Sequence, residues 1–143
     1  MSYDLEFLRK AAEESLATGD DGAQALDADV RAAVTAAVRD ILGEITVHEG
    51  ELYCELDHAP TGIQVNLYRH SAAITVPHRY SGAEATAIVR QIYDLGRIIE
   101  QHTGLIGYDP QTELPLAEAA ARPTLAAEIF DRTAASIARR GIQ

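Results

Sequence analysis

Three carboxylates between residues 51 and 57 are the first side chains of this sequence that could carry out chemistry. They are Glu51, Glu55 and Asp57. Because all three lie at odd-numbered positions, a β-strand would place them on the same face. Paired carboxylates act as general acid and general base when burial raises the pKa of one partner. This face is expected to meet solvent, and we therefore interpret the three groups as surface charge.

Histidines are the next candidates, because the neutral imidazole is both a base and a metal ligand. None of them has the partner four positions away that a helical zinc motif requires. A meander of strands could bring together those near strand ends, but Cys54 is expected to point inward and does not favour a Cys–His zinc site. We predict no metal and no cofactor, with a metal site as the less favoured alternative. The five histidines are His48, His58, His70, His78 and His102.

The sequence shows no nucleophilic or phosphate-binding motif. Its single cysteine, Cys54, excludes an internal disulfide and occupies an apolar strand position, which is typical of a structural thiol. No serine lies in a nucleophile elbow, and segment 104–107 lacks the Gly-Lys-Ser/Thr of a phosphate loop. We therefore predict that the protein is not an enzyme.

A β-sheet must position the polar side chains, because apolar and polar residues alternate through much of segment 51–76. Such alternation predicts strands with one buried face and one polar face. Four consecutive strands joined by short turns predict an antiparallel meander. The predicted strands lie at 3–7, from Ile45, at 51–57, 63–69 and 72–76, and at 105–108. Between the first two strands, residues 11–17 could add a helical turn or two, and an exposed loop is predicted at 18–22.

Two helices are predicted to cover the apolar face of this sheet. The first follows an N-cap at Asp27 or Asp29, and its apolar stripe is Val30, Val34, Ala37, Val38 and Ile41. The second follows Ser81, with Glu84 as its capping-box partner, and ends at Gly104. Its stripe is Ala85, Ile88, Ile92, Leu95 and Ile99.

A third helix is predicted at the C-terminus, after the alanine-rich and ambiguous segment 113–122. Pro123 suits its first position. The residues expected to pack are Leu125, Ile129 and Ile137, with Phe130 at the margin.

The predicted architecture is one α+β domain over residues 1–143, with a core at 1–112 and a C-terminal helical extension at 113–143. The four-stranded meander is joined by short first and last strands, which could lie side by side. Two helices cover one face of the sheet. The other face stays open and is the best candidate for a functional site.

The chain is acidic, with a formal net charge of -10. This charge disfavours binding to nucleic acids and anionic membranes, which need clusters of Lys and Arg. It would instead steer a basic protein toward the chain. The N-terminal residues do not form a signal peptide and no stretch reaches the length of a membrane helix, so we expect a cytoplasmic protein.

The polar face of the predicted sheet combines phenols, carboxylates and amides, a composition common in protein interfaces. Its acidic groups could pair with Arg and Lys of a partner. A plain solvated face is the alternative, because antiparallel sheets often expose one face to water. A second copy or the C-terminal segment could also cover it. The predicted partner-binding residues are Glu51, Tyr53, Glu55, Asp57, Gln64, Asn66 and Tyr68.

Three short stretches form a recognisable pattern: S-Y-D-L at residues 2–5, L-Y at 67–68 with S-A-A-I-T-V-P at 71–77, and G-L-I-G-Y-D-P-Q-T at 104–112. In these stretches the chain resembles a group of small, largely uncharacterised bacterial proteins. Gly107 stands where the pattern has an apolar residue. Several members resemble immunity proteins, which are encoded beside polymorphic toxins and block the toxin by binding it. The resemblance carries no catalytic residue.

Together these features predict a non-enzymatic cytoplasmic binding protein. The resemblance implies an immunity protein that neutralises a toxin effector by occluding it, and a basic toxin domain is the expected partner. The alternative is a structural or regulatory module that forms a homodimer through the same face.

Overall fold

A seven-stranded antiparallel sheet is the framework of this computed structural model, which describes residues 2–9, 26–51 and 53–139. Helices cover one face of the sheet. The strands are β1 (Ser2–Leu8), β2 (Thr46–Glu49), β3 (Cys54–His58), β4 (Ile63–Leu67), β5 (Ala72–Pro77), β6 (Ile106–Asp109) and β7 (Leu114–Pro115). The helices in the described ranges are α1 (Ala28–Leu42), α2 (Gly82–Thr103), α3 (Leu116–Ala121) and α4 (Pro123–Arg139).

Strand β1 lies inside the sheet rather than at its edge. The strand order is β2-β3-β4-β5-β1-β6-β7, and each neighbouring pair is antiparallel. The predicted meander is confirmed as β2 to β5, and the predicted first and last strands do lie side by side as β1 and β6. β1 also pairs with β5, from Ser2 opposite Pro77 to Phe7 opposite Ala72. Through β1, the meander and the C-terminal strands form one sheet.

The core lies between the sheet and the helices. Tyr3, Leu5 and Phe7 of β1 are fully buried, as expected of alternate residues on the strand face that meets the helices. Helix α1 buries Val34 and Val38 in the same cluster. The α+β class is therefore confirmed. The predicted stripe of α2 is buried throughout, at Ala85, Ile88, Ile92, Leu95 and Ile99.

The two main helices begin in different ways. Asp27 caps α1 as predicted, because its Oδ1 accepts a hydrogen bond of 2.9 Å from the Val30 N–H. The capping box predicted for α2 is wrong, since the Ser81 side chain makes no cap hydrogen bond. Asp131 of α4 replaces it and accepts a 2.7 Å hydrogen bond from the Gly82 N–H. A carboxylate from a distant helix thus holds the start of α2.

Helix α4 packs on a different side from the one predicted. Phe130, expected at the margin, is fully buried and stacks on Tyr3 with ring centroids 4.9 Å apart. Ala126, one turn earlier, is also fully buried, and its small side chain lets the helix approach the sheet. Of the residues expected to pack, Ile129 does pack against the core while remaining partly exposed, and Leu125 and Ile137 are also only partly buried.

Segment 113–122 forms β7 and the short helix α3, neither of which was predicted. Leu116 of α3 is fully buried in the common core. A Cβ atom at Gly96 of α2 would lie 2.7 Å from the Leu116 side chain, and one at Gly107 of β6 would lie 2.8 Å from it. Leu116 and Phe7 fill the space that a side chain at position 107 would need, so glycine fits there. The proposed extension shares its core with residues 1–112.

The polar strands are shorter than predicted. β3 starts at Cys54 rather than Glu51, because a loop closed by the Gly50 N–H and the Tyr53 carbonyl comes first. β4 ends before Tyr68, whose N–H donates to the Ser71 carbonyl in the next turn. Leu52, a helical turn predicted for 11–17 and a loop predicted for 18–22 lie outside the described residues.

Candidate functional site

The outer face of the sheet, on the side away from the helices, gathers most of the predicted site residues. Glu55 stands opposite Asn66 and Asp57 stands opposite Gln64 in the β3–β4 ladder. Their inward-pointing neighbours share one core cluster with the helices. In the described ranges, the helices thus pack on the opposite face, and these polar side chains point away from the core.

Side-chain hydrogen bonds connect the amides to one carboxylate of this face. The Gln64 amide donates from Nε2 to Asp57 Oδ1 over 2.9 Å, and the Asn66 amide donates from Nδ2 to Gln64 Oε1 over 3.1 Å. Asn66 is only 9% exposed, so it offers a partner little surface. Its role is to orient Gln64, which in turn orients Asp57.

The carboxyl groups of Glu55 and Asp57 lie against each other. Hydrogen bonding with Asp57 is the largest cause that raises the pKa of Glu55, and burial and then Coulombic repulsion from Asp57 add to it. His48, on β2 directly opposite Glu55, works against this rise. The His48 Nε2 atom lies 3.4 Å from Asp57 Oδ2. Sequence reasoning missed this contact, although the short β2–β3 connection could have indicated the register.

Two predicted tyrosines flank the acidic groups. Tyr53 and Tyr68 are 47% and 45% exposed, and the β3–β4 register extended by one residue places them opposite each other. The Tyr53 ring lies over Gly50, where an added Cβ would be 2.4 Å from the ring. Glu51 is exposed in the loop beside them and not on the strand face, which corrects its predicted position.

The same face also carries an apolar patch that was not predicted from the sequence. Leu8 of β1 pairs with Ile106 of β6, and Tyr108 of β6 pairs with Glu6. Leu8, Ile106 and Tyr108 are large side chains that remain exposed. The two strands are far apart in sequence, so no local pattern indicates that these residues meet. The outer face therefore has an acidic end at β2–β4 and an apolar end at β1–β6.

Beneath this face, the buried Asp109 is the hub of a hydrogen-bond network. Its Oδ2 accepts hydrogen bonds from the hydroxyls of Tyr3 at 2.5 Å and Tyr93 at 2.6 Å. Its Oδ1 accepts bonds from the backbone N–H groups of Gln111 and Thr112 and from Gln111 Nε2. Burial is the largest cause that raises the pKa of both tyrosines, and their hydrogen bonds to Asp109 add to it. The hub ties β1, α2 and β6 together.

Gln111 joins two of the three recognised stretches. Its Oε1 accepts from the Asp4 N–H at 2.9 Å, and its Nε2 donates to the Asp4 carbonyl at 2.7 Å. S-Y-D-L and Y-D-P-Q-T are therefore two halves of one hydrogen-bonded structure. Tyr3 and Asp109 are fully buried, so they support the fold and are not contact residues.

A groove of about 310 Å³ lies between α2 and the following helices. It contains charged side chains but neither histidine, cysteine nor serine. The hydroxyl of Tyr93, at its floor, is already bound to Asp109. The lining residues are Arg90, Tyr93, Asp94, Arg97, Ala120 and Pro123.

The fold and the outer face define an α+β protein in which the helices of the described ranges leave one acidic and aromatic sheet surface uncovered. No protein-family model, curated protein or solved structure matches the chain. None of the helices in the described ranges has both the length and the apolar character needed to cross a bilayer. Function must therefore be inferred from the side chains themselves.

Proposed function

We propose that this chain is a non-enzymatic binding protein that holds a basic partner protein against its outer sheet face. In this proposal the partner is a toxin effector, and the chain acts as its immunity protein by occluding the active site. The observation that supports the proposal is the set of large side chains left exposed beside carboxylates on one face. They are Leu8, Tyr53, Tyr68, Ile106 and Tyr108.

The chemistry of the face favours a partner rich in Arg and Lys. Four carboxylates occupy outward-pointing positions of their strands: Asp4, Glu6, Glu55 and Asp57. The net charge of -10 would speed association with a basic surface and orient it. Tyrosines among such charges give contact area with little loss of side-chain entropy. A nuclease that holds its substrate with cations would present this kind of surface.

Self-association through the same face is less favourable on this chemistry. A two-fold dimer places the same patch of both copies in contact. Two copies that meet across the acidic end at β2–β4 would bring like charges together, which opposes binding. Light scattering that shows a stable dimer with Tyr53 and Tyr68 buried would contradict the proposal.

The test compares two variants of equal charge change as baits in the native host. Tyr53→Ala with Glu55→Lys alters the outer face, whereas Glu128→Lys alters an exposed position on α4. We expect the wild-type chain and Glu128→Lys to retain a partner that the double variant loses. The captured protein is then expressed alone and with each bait, and growth is measured.

Rescue of growth by the wild-type chain and by Glu128→Lys, but not by the double variant, is the expected result. The free energy of unfolding of both variants should lie within about 0.5 kcal/mol of the wild-type value, because their sites are on the surface. Equal rescue by all three proteins would overturn the outer face as the binding site. A captured protein that is harmless when expressed alone would overturn the immunity function.

A further inference from the structure

A histidine and two carboxylates converge at the acidic end of the outer face. We propose that His48, Glu55 and Asp57 bind one divalent transition-metal ion of the zinc class. The ligand atoms that they offer are one imidazole nitrogen and two carboxylate oxygens, all within 4.8 Å of one another. Among the residues that the structure describes, no other three His, Cys, Asp or Glu side chains meet this condition.

The backbone fixes the three positions. His48 of β2 and Glu55 of β3 are direct cross-strand partners, and Asp57 follows two residues later on the same face. β3 is itself paired with β4 on its other side, so both carboxylates project from a strand hydrogen-bonded on both edges. Sites built on such elements hold their geometry better than sites on loops.

The separation of His48 and Asp57 suits a metal better than a hydrogen bond. Their Nε2 and Oδ2 atoms are 3.4 Å apart, whereas a good hydrogen bond from nitrogen to oxygen spans about 2.7–3.2 Å. Tetrahedral zinc with bonds of about 2.0–2.2 Å separates two ligand atoms by about 3.4 Å. Two of the three ligand atoms therefore already have the spacing of a zinc site. Rotation of the partly exposed Glu55 side chain would complete it.

Outer partners orient one of the ligands. The Gln64 amide holds Asp57 Oδ1 at 2.9 Å, which leaves Oδ2 facing His48. Asn66 in turn holds Gln64. Hydrogen bonds of this kind fix the orientation of metal ligands and strengthen binding.

The donor set indicates which ion would bind. An imidazole with two carboxylates suits Zn²⁺ and related transition ions, whereas Ca²⁺ and Mg²⁺ prefer oxygen ligands alone. The His48 side chain is more than half exposed, so a water molecule can reach a fourth position. A cation here would also offset the repulsion between Glu55 and Asp57.

Titration calorimetry of the full chain with Zn²⁺ in a non-coordinating buffer tests this site. We expect one bound ion per chain, with affinity at least about tenfold weaker in His48→Ala and in Asp57→Asn. The matched control is His102→Ala, which removes an exposed histidine near the end of α2. It should bind as the wild type does. Ca²⁺ at equal concentration should give no saturable binding.

Nitrogen-edited NMR of the imidazole resonances identifies the ligand directly. The His48 ring signals should shift at one equivalent of Zn²⁺, while those of His102 stay in place. Unchanged affinity in His48→Ala, or binding without a shift of the His48 signals, would overturn the site. The experiment uses no partner protein, so its failure would leave the proposed partner-binding function intact, and the reverse also holds.

Discussion

Two acidic sites lie on opposite faces of one sheet and have opposite surroundings. Asp109, on the helix side, is fully buried and accepts five hydrogen bonds from described residues. Asp57, on the outer side, is held by Gln64 and lies against Glu55. A carboxyl group removed from water requires such partners, whereas water screens a pair of exposed charges. The buried acid therefore serves the fold, whereas the partly exposed pair can meet water or a binding partner.

Asp109→Ala tests this difference between the two acidic sites, and we expect it to have the largest effect on stability. The change leaves the buried hydroxyls of Tyr3 and Tyr93 and partly buried backbone N–H groups without an acceptor. We expect a loss of about 3–5 kcal/mol in the free energy of unfolding, measured by urea denaturation. Asp40→Ala, at an exposed position of α1, is the control and should change stability by less than about 0.5 kcal/mol. Similar losses in the free energy of unfolding for Asp109→Ala and Asp40→Ala would contradict the difference drawn here between a buried and an exposed acid.

Alkaline pH should weaken the same network. The pKa values of Tyr3 and Tyr93 are raised by burial and by Asp109. Above about pH 10 the unfolded chain releases these phenol protons while the folded chain keeps them, so stability falls as pH rises. Two phenols together give a slope of up to about 2.7 kcal/mol per pH unit. Urea denaturation at several values between about pH 9 and about pH 11 measures it.

The variant Tyr93→Phe measures how much of this pH dependence comes from the Tyr93 phenol. It removes one of the two phenols, so the alkaline slope should fall to about half, and neutral-pH stability should fall by about 1 kcal/mol. The matched variant Tyr68→Phe alters an exposed tyrosine of the outer face and should leave the slope unchanged. If Tyr93→Phe also left the slope unchanged, its hydroxyl would not be coupled to folding.

The smallest expected effect is that of Asp57→Asn. The substitution removes the repulsion with Glu55, and its amide oxygen can still accept from Gln64. We expect stability within about 0.5 kcal/mol of the wild type, measured by thermal denaturation at neutral pH. A loss above about 2 kcal/mol would place Asp57 in the same class as Asp109 and contradict the distinction between them.

Local patterns in the sequence predicted the elements with clear periodicity. Alternation identified β1 and the meander, and apolar stripes at helical spacing identified α1 and α2. The phase of α4 was not predictable in the same way, because its alanines suit either a packed or an exposed side. Phe130, predicted at the margin of the packed stripe, is fully buried. Burial of small residues such as Ala126 is decided by the surface opposite them.

Long-range partners were the other limit of sequence reasoning. Asp131 caps α2 from another helix, and Leu8 meets Ile106 only through the pairing of β1 with β6. The candidate face at β3 and β4 was predictable, because the alternation of apolar and polar residues within each strand shows which side chains point outward. Its extension over β1 and β6, and the approach of His48 to the acids, depend on which strands pair and in which register.

The central position of β1 has a consequence for how the chain folds during synthesis. Phe7 is paired with Ala72 on one side and with Gly107 on the other. A ribosome therefore releases this strand long before either neighbour exists, and closing such distant contacts is slow. The sheet cannot be completed until the segment that carries Gly107 has emerged. Until then the apolar side of β1 lacks its final partners and can make contacts with other exposed apolar segments.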